Sequence, residues 1–265
     1  LIPPGLRLLG AVLATASVLA ACSSGANEAE LLASARSYVG KQDYGAAVIQ
    51  LKAALQKNPQ SPEARLLLGR SLLDSGDARG AAIELRKALE LGAKATEVQP
   101  PLARAMLAQN QAQQVVQEFA AVTLDDPAAS ADLKTTVATA YAALRQRDKA
   151  LATVLSALEE QPQNTAALLL HARIRAADGD LPGALARVDE VLAIDAKHLG
   201  ALLFKGELQR YGQRDREAAM ATFTQAVQAH PKAVAAHEAI IGMLLEQGEV
   251  DKAKARFEEL KKVQP

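Results

Sequence analysis

Small and apolar side chains recur along the chain at fixed offsets with a period of 34 or 35 residues, seven times between about Glu28 and Pro265. Ala47, Leu51, Ala54 and Pro59 return as Ala81, Leu85, Ala88 and Ala93, and again as Val115, Phe119, Val122 and Pro127. The series continues through Ala150, Val154, Ala157 and Pro162, then Ala184, Val188, Val191 and Ala196. Ala219, Phe223, Ala226 and Pro231 precede the last copy, Ala253, Phe257, Leu260 and Pro265. Spacings of three and four residues put such side chains on one face of a helix. A helix ahead of each stretch carries a small residue near its middle, at Ala35, Gly69, Ala103, Ala138, Ala172 and Gly206, with Ile241 the exception. Three positions on comes a larger side chain, at Tyr38, Leu72, Met106, Tyr141 and Leu244, whereas Arg175 and Gln209 depart from the pattern. The small residues let two helices approach closely and the larger ones fill the space between neighbours.

Short polar stretches at 41–44, 74–77, 178–180 and 247–249 separate the two helices of a pair, and most contain a glycine suited to a helix terminus. Prolines at 59, 127, 162, 231 and 265 fall between pairs, and Asp180 with Pro182 reads as a cap and first turn. No stretch alternates with strand period, so the chain reads as all-α. The offsets resemble the tetratricopeptide repeat, which implies a right-handed superhelical solenoid of about seven helix-turn-helix units over residues 28–265. The register places unit starts near Glu28, Pro62, Thr96, Ala131, Thr165, Leu199 and Val234. Two steps of 35 residues each need one extra residue, expected in a loop at 128–131 and in the turn at 211–217. The array stops at the last signature position without a polar covering helix, so further repeats or a cap are expected beyond it.

Alanine and leucine dominate, aromatic residues are 3 % of the chain, and 30 basic side chains balance 30 acidic ones. That balance removes the electrostatic case for nucleic-acid binding.

Before the repeats the pattern changes. Residues 8–21 form an apolar run behind Arg7, too short for a confident membrane span but suited to a secretory leader. Leu19-Ala20-Ala21-Cys22 resembles a bacterial lipobox. The resemblance implies a signal peptide over 1–21, a lipidated Cys22 and a short tether over 22–27. Ser23 stands where an aspartate would imply inner-membrane retention, so the expected location is the cell envelope, on the periplasmic face of the outer membrane. Three acyl chains, as in bacterial lipoproteins, would anchor far more durably than one. Cys22 is the only cysteine, so the array must fold without disulfides even in an oxidising compartment.

Residues with catalytic or metal chemistry are sparse. His171, His198, His230 and His237 have no metal-ligand spacing, and His171 falls near a packing position. No phosphate loop, dinucleotide fingerprint or hydrolase nucleophile setting is present. Acidic neighbours such as Glu159 with Glu160, or Glu258 with Glu259, do not share a helix face. Neither an enzyme nor a cofactor is expected.

The first helices carry the better clue. Arg36, Arg70, Arg104 and Arg173 occupy one repeat position, with Thr139, Glu207 and Gly242 in its other copies. If these helices line the concave side, as in the family, the result is a basic ladder that fades toward the C-terminal end. Its guanidinium forks could hold acidic or extended peptides or an anionic polysaccharide, or could pair with acids of neighbouring helices. Leu32, Leu66, Leu73, Leu107 and Leu169 lie near the same surface and either add apolar contacts or belong to the core between units.

The lipobox, residues 43–59 (DYGAAVIQLKAALQKNP), 63–69 (EARLLLG) and 101–107 (PLARAML) are similar to the repeat lipoproteins of the PEP-CTERM and exosortase system. That family sits in exopolysaccharide and protein-sorting loci and has more repeats. The resemblance implies a membrane-anchored scaffold for protein or peptide partners of the envelope. A polysaccharide-binding module and an outer-membrane assembly accessory are the alternatives.

Overall fold

The computed structural model describes residues 26–263, and within them helices are the only regular elements. Cys22 and the expected leader lie outside the described residues. Fourteen α-helices follow in pairs: α1 (Glu28–Gly40) with α2 (Tyr44–Lys57), α3 (Pro62–Asp74) with α4 (Ala78–Glu90), and α5 (Ala95–Ala108) with α6 (Ala112–Phe119). Next come α7 (Pro127–Ala143) with α8 (Arg147–Glu160), and α9 (Thr165–Ala177) with α10 (Leu181–Ile194). α11 (Leu199–Glu207) pairs with α12 (Arg216–Ala229), and α13 (Val234–Glu246) with α14 (Val250–Val263). A six-residue π-helical segment, Leu208–Gln213, follows α11.

Helix starts are fixed by side chains that satisfy orphan N–H groups. Asp43, Asp77, Asp180 and Asp215 accept from the main chain three residues on at the start of second helices, as Ser61, Asn164 and His198 do for first helices. Asn27 and Glu30 form a reciprocal capping box at the head of α1.

The core runs through the array as a chain of local clusters. Leu51 and Ala54 of α2 meet Ala64 and Leu68 of α3, Leu85 of α4 meets Val98 and Leu102 of α5, and Phe223 of α12 meets Ile240 and Met243 of α13. Each second helix is thus buried between its own partner and the first helix of the next unit. Phe257, in α14, is the exception: it is 51 % exposed, whereas its six equivalents are at most 3 % exposed. No described helix covers the outer face of α14.

Two expectations of register are corrected. The fourth unit begins at Pro127, not near Ala131, because Asp126 caps the helix and proline occupies its first turn. Residues 128–131 are therefore helix rather than loop, and the irregular segment is 120–126, after a shortened α6. The second extra residue does fall beside the turn after α11, but as a π-helical turn. In the other units the closing bond of the first helix spans five residues, as in Asp77 N–H to Leu72 C=O, whereas Asp215 N–H reaches Gln209 C=O, six residues back. Gln209 is held there by a 2.7 Å hydrogen bond from Thr222.

Candidate functional site

In the middle of the array successive first helices pack on one another, α3 with α5, α5 with α7 and α7 with α9, whereas the second helices α4 and α6 meet through the long side chains of the Arg86–Glu118 ion pair. The first helices therefore lie on the inner radius of the array, the side on which an extended ligand would meet several units at once.

All four ladder arginines are solvent-exposed on this row, but they are not equivalent. Arg36 forms an ion pair with Glu63, the second residue of α3. Arg70 donates from Nη2 to the main-chain oxygen of Glu97 at 2.8 Å. That carbonyl needs a donor because Pro100 and Pro101 stand inside α5 and Pro101 has no N–H to give to Glu97, four residues before it. Arg173 lies over the ring of Phe204, 5.6 Å from its centre. Among the described residues the Arg104 guanidinium has no hydrogen-bond or ion-pair partner. Arg70→Ala is expected to lower stability by roughly 0.5–1.5 kcal/mol, the scale of a lost hydrogen bond. Arg104→Ala should stay within about 0.5 kcal/mol of the parent, and urea denaturation of the two variants checks the contrast.

The leucines divide as well. Leu32 and Leu66 are each only 6 % exposed and belong to the core clusters, so they are not surface contacts. Leu73, Leu107 and Leu169 are half-buried against those clusters and show an edge to the surface.

Sequence spacing alone did not reveal a recess of about 490 Å³ between α7, α8 and α9. Leu170, Ile174 and Ala142 line its apolar part, and Arg145, Arg147 and Arg173 stand on it. Arg147 forms a two-point ion pair with Asp178, which holds the Asp178 carboxyl below the usual carboxylate range. The signal for the recess was the combination of Arg173 with two further arginines at the α7–α8 turn.

His171 is buried in α9, and its Nδ1 has no hydrogen-bond partner within the protein. Burial, with Arg187 and Arg175 nearby, lowers its pKa below the ordinary 6.5, against a smaller opposing pull from Glu190. The unfolded chain therefore binds the proton more readily, and stability should be full above pH 6.5 and decline as pH falls below it. Denaturation midpoints between pH 7.5 and 5 should drop for the parent and drop less for His171→Leu. Among the described residues no group of histidine, cysteine and carboxylate side chains could hold a metal ion, and no helix is long and apolar enough to cross a membrane.

The sequence signature described as tetratricopeptide repeat matches residues 32–96, 137–198 and 209–262. No curated protein matches the sequence. Among solved structures, PilF of Pseudomonas aeruginosa is similar at a TM-score of 0.60 and 16 % identity, over 80 % of this chain and 95 % of that one. PilW, described as a widely conserved type IV pilus biogenesis factor, is similar at 0.63 and 19 % identity, over 82 % and 98 % of the two chains. A chain of the APC/C Cut9-Hcn1 hetero-tetramer reaches 0.66 at 12 % identity, over 82 % of this chain and 43 % of its own. These likenesses share the fold.

Proposed function

The chain belongs to the tetratricopeptide-repeat family, and from that membership we propose a lipid-tethered scaffold of the bacterial cell envelope that gathers proteins of exopolysaccharide biosynthesis or export, or of PEP-CTERM protein sorting. Arrays of this kind are scaffolds for protein–protein interaction and take protein or peptide partners. The observation that carries the reading is the inner row of first helices, with Arg104 exposed and unpartnered at its middle among the described residues. A buried catalytic constellation would need convergent groups in a closed pocket, whereas this surface is long, open and chemically mixed.

The tether is Cys22, with cleavage after Ala21 and the array in the periplasm on the outer membrane. A polysaccharide running along the ladder is the weaker reading. It needs free donors at regular intervals, and Arg36 and Arg70 are engaged within the protein.

A photo-crosslinking residue at position 104, in the full chain expressed in its native envelope, tests the reading. A discrete crosslinked polypeptide is expected, as is release of the protein to the soluble fraction by Cys22→Ser. Absence of any crosslinked polypeptide from folded, lipidated protein would sink the scaffold, and membrane retention of Cys22→Ser would sink the tether.

A further inference from the structure

We propose that the recess between α7, α8 and α9 binds an acidic segment of a partner protein, seating an aliphatic side chain against Leu170, Ile174 and Ala142 with the flanking carboxylate on Arg145 and Arg173. This deepens the scaffold reading and rests on it.

The volume, about 490 Å³, is in the range of ligand pockets of roughly 300–1,000 Å³. Its wall is aliphatic, and the charged side chains that line it are all arginines. The acids nearest in sequence are engaged or point away: Asp178 is paired with Arg147, Asp180 with Arg175, and Asp148 is fully exposed beside Arg147. The Arg145 guanidinium has no hydrogen-bond or ion-pair partner among the described residues. Arg173 lies over the Phe204 ring, 5.6 Å from its centre, and its N–H groups have no hydrogen-bond or ion-pair partner among the described residues. A rim on which Arg145 and Arg173 lack an acidic partner, over an aliphatic floor, is complementary to a carboxylate next to an apolar side chain, and guanidinium is suited to hold that carboxylate at two points.

Arg145 sits at φ 58° in the turn after α7, as Gln42, Asn110 and Arg214 do in the corresponding turns of three other units, while the remaining three have glycine at 76, 179 and 248. The turn places Arg145 at the end of α7, on the edge of the recess.

The test uses the full chain and an acetylated, amidated peptide alternating leucine and glutamate, with its leucine–glutamine analogue and an alginate oligomer as comparisons, read by fluorescence anisotropy near physiological salt. The acidic peptide is expected to bind and the glutamine analogue to bind at least tenfold more weakly. Arg145→Glu with Arg173→Glu should weaken the acidic peptide at least tenfold, and Ala142→Glu, at an exposed position, should do the same without a change in circular dichroism. Equal binding of the two peptides, no binding of the acidic one, or indifference to the arginine variants overturns the assignment. Alginate binding as tight as the acidic peptide and lost in the same variants overturns it in favour of an anionic polysaccharide. If the recess fails while the crosslink at position 104 forms, the scaffold stands without this site. Failure of both removes the two together.

Discussion

Replacing Phe223 with alanine is expected to lower stability by about 3–5 kcal/mol, the range for losing a buried aromatic side chain. Phe223 is 2 % exposed and packs with Ala219, Ile240 and Met243, so it joins the sixth unit to the seventh. Its ring also lies against the backbone of α11 at Gly206, where a Cβ would come within 2.6 Å of ring carbons. With no side chain at 206 to fall into the vacated space, the cavity can close little. Because the units meet only their neighbours, the loss should be local: α13 and α14 should melt ahead of the rest. Urea denaturation followed by circular dichroism should split into two transitions for Phe223→Ala, whereas Phe223→Leu should shift a single one slightly. An unchanged, single transition in the alanine variant would show that the ring is not the joint.

Overfilling a joint within a unit should also lower stability. A Cβ at Gly69 would sit 2.6 Å from Cγ of Leu85, 2.9 Å from its Cδ2 and 3.2 Å from its main-chain nitrogen. Rotating the leucine cannot relieve contact with backbone, so α3 and α4 must separate. Gly69→Val is expected to destabilise by about 1–3 kcal/mol from overpacking, offset by only a few tenths from better helix propensity. Leu85→Ala alone should cost about 2–5 kcal/mol. Adding it to Gly69→Val should cost less than the sum of the two, and a double-mutant cycle of denaturation free energies reads the coupling. Strict additivity would mean that the two positions do not share the space the structure assigns them.

The repeat offsets made the helix pairs and most of the core legible, because burial in a solenoid depends on position within the unit: Leu51, Leu85, Val154 and Val188 are all fully buried. Phe257 shares their offset but not their environment, since an offset describes a residue's own helix, and no described first helix packs on α14 as α13 packs on α12. At the fourth unit a local signal outweighed the period: the cap at Asp126 and the ring of Pro127 start α7 early. Counting residues located the insertion after α11, but a count cannot distinguish a looser turn from a π-helical one. The ladder was legible as a row and not in its pairing. Arg36 and Arg70 each reach 27 residues ahead, to Glu63 and to the carbonyl of Glu97, while the residues at that distance from Arg104 and Arg173 are Ala131 and Gly200. For Arg36 the readable signal was the acid at that interval, and for Arg70 it was Pro101, which leaves the Glu97 carbonyl without its helical donor. The recess stayed hidden because Arg145 lies in the α7–α8 turn and Leu170 in α9, so no spacing within one helix joins them.

The cluster-by-cluster core also bears on how the chain reaches its native state. Leu51 finds Ala64, and Phe223 finds Ile240, without closing a long loop, and chains rich in such near contacts cross low entropic barriers to folding. A chain emerging from its N-terminal end onward can thus consolidate each helix pair as soon as the next first helix appears, leaving only the newest apolar face uncovered at any moment.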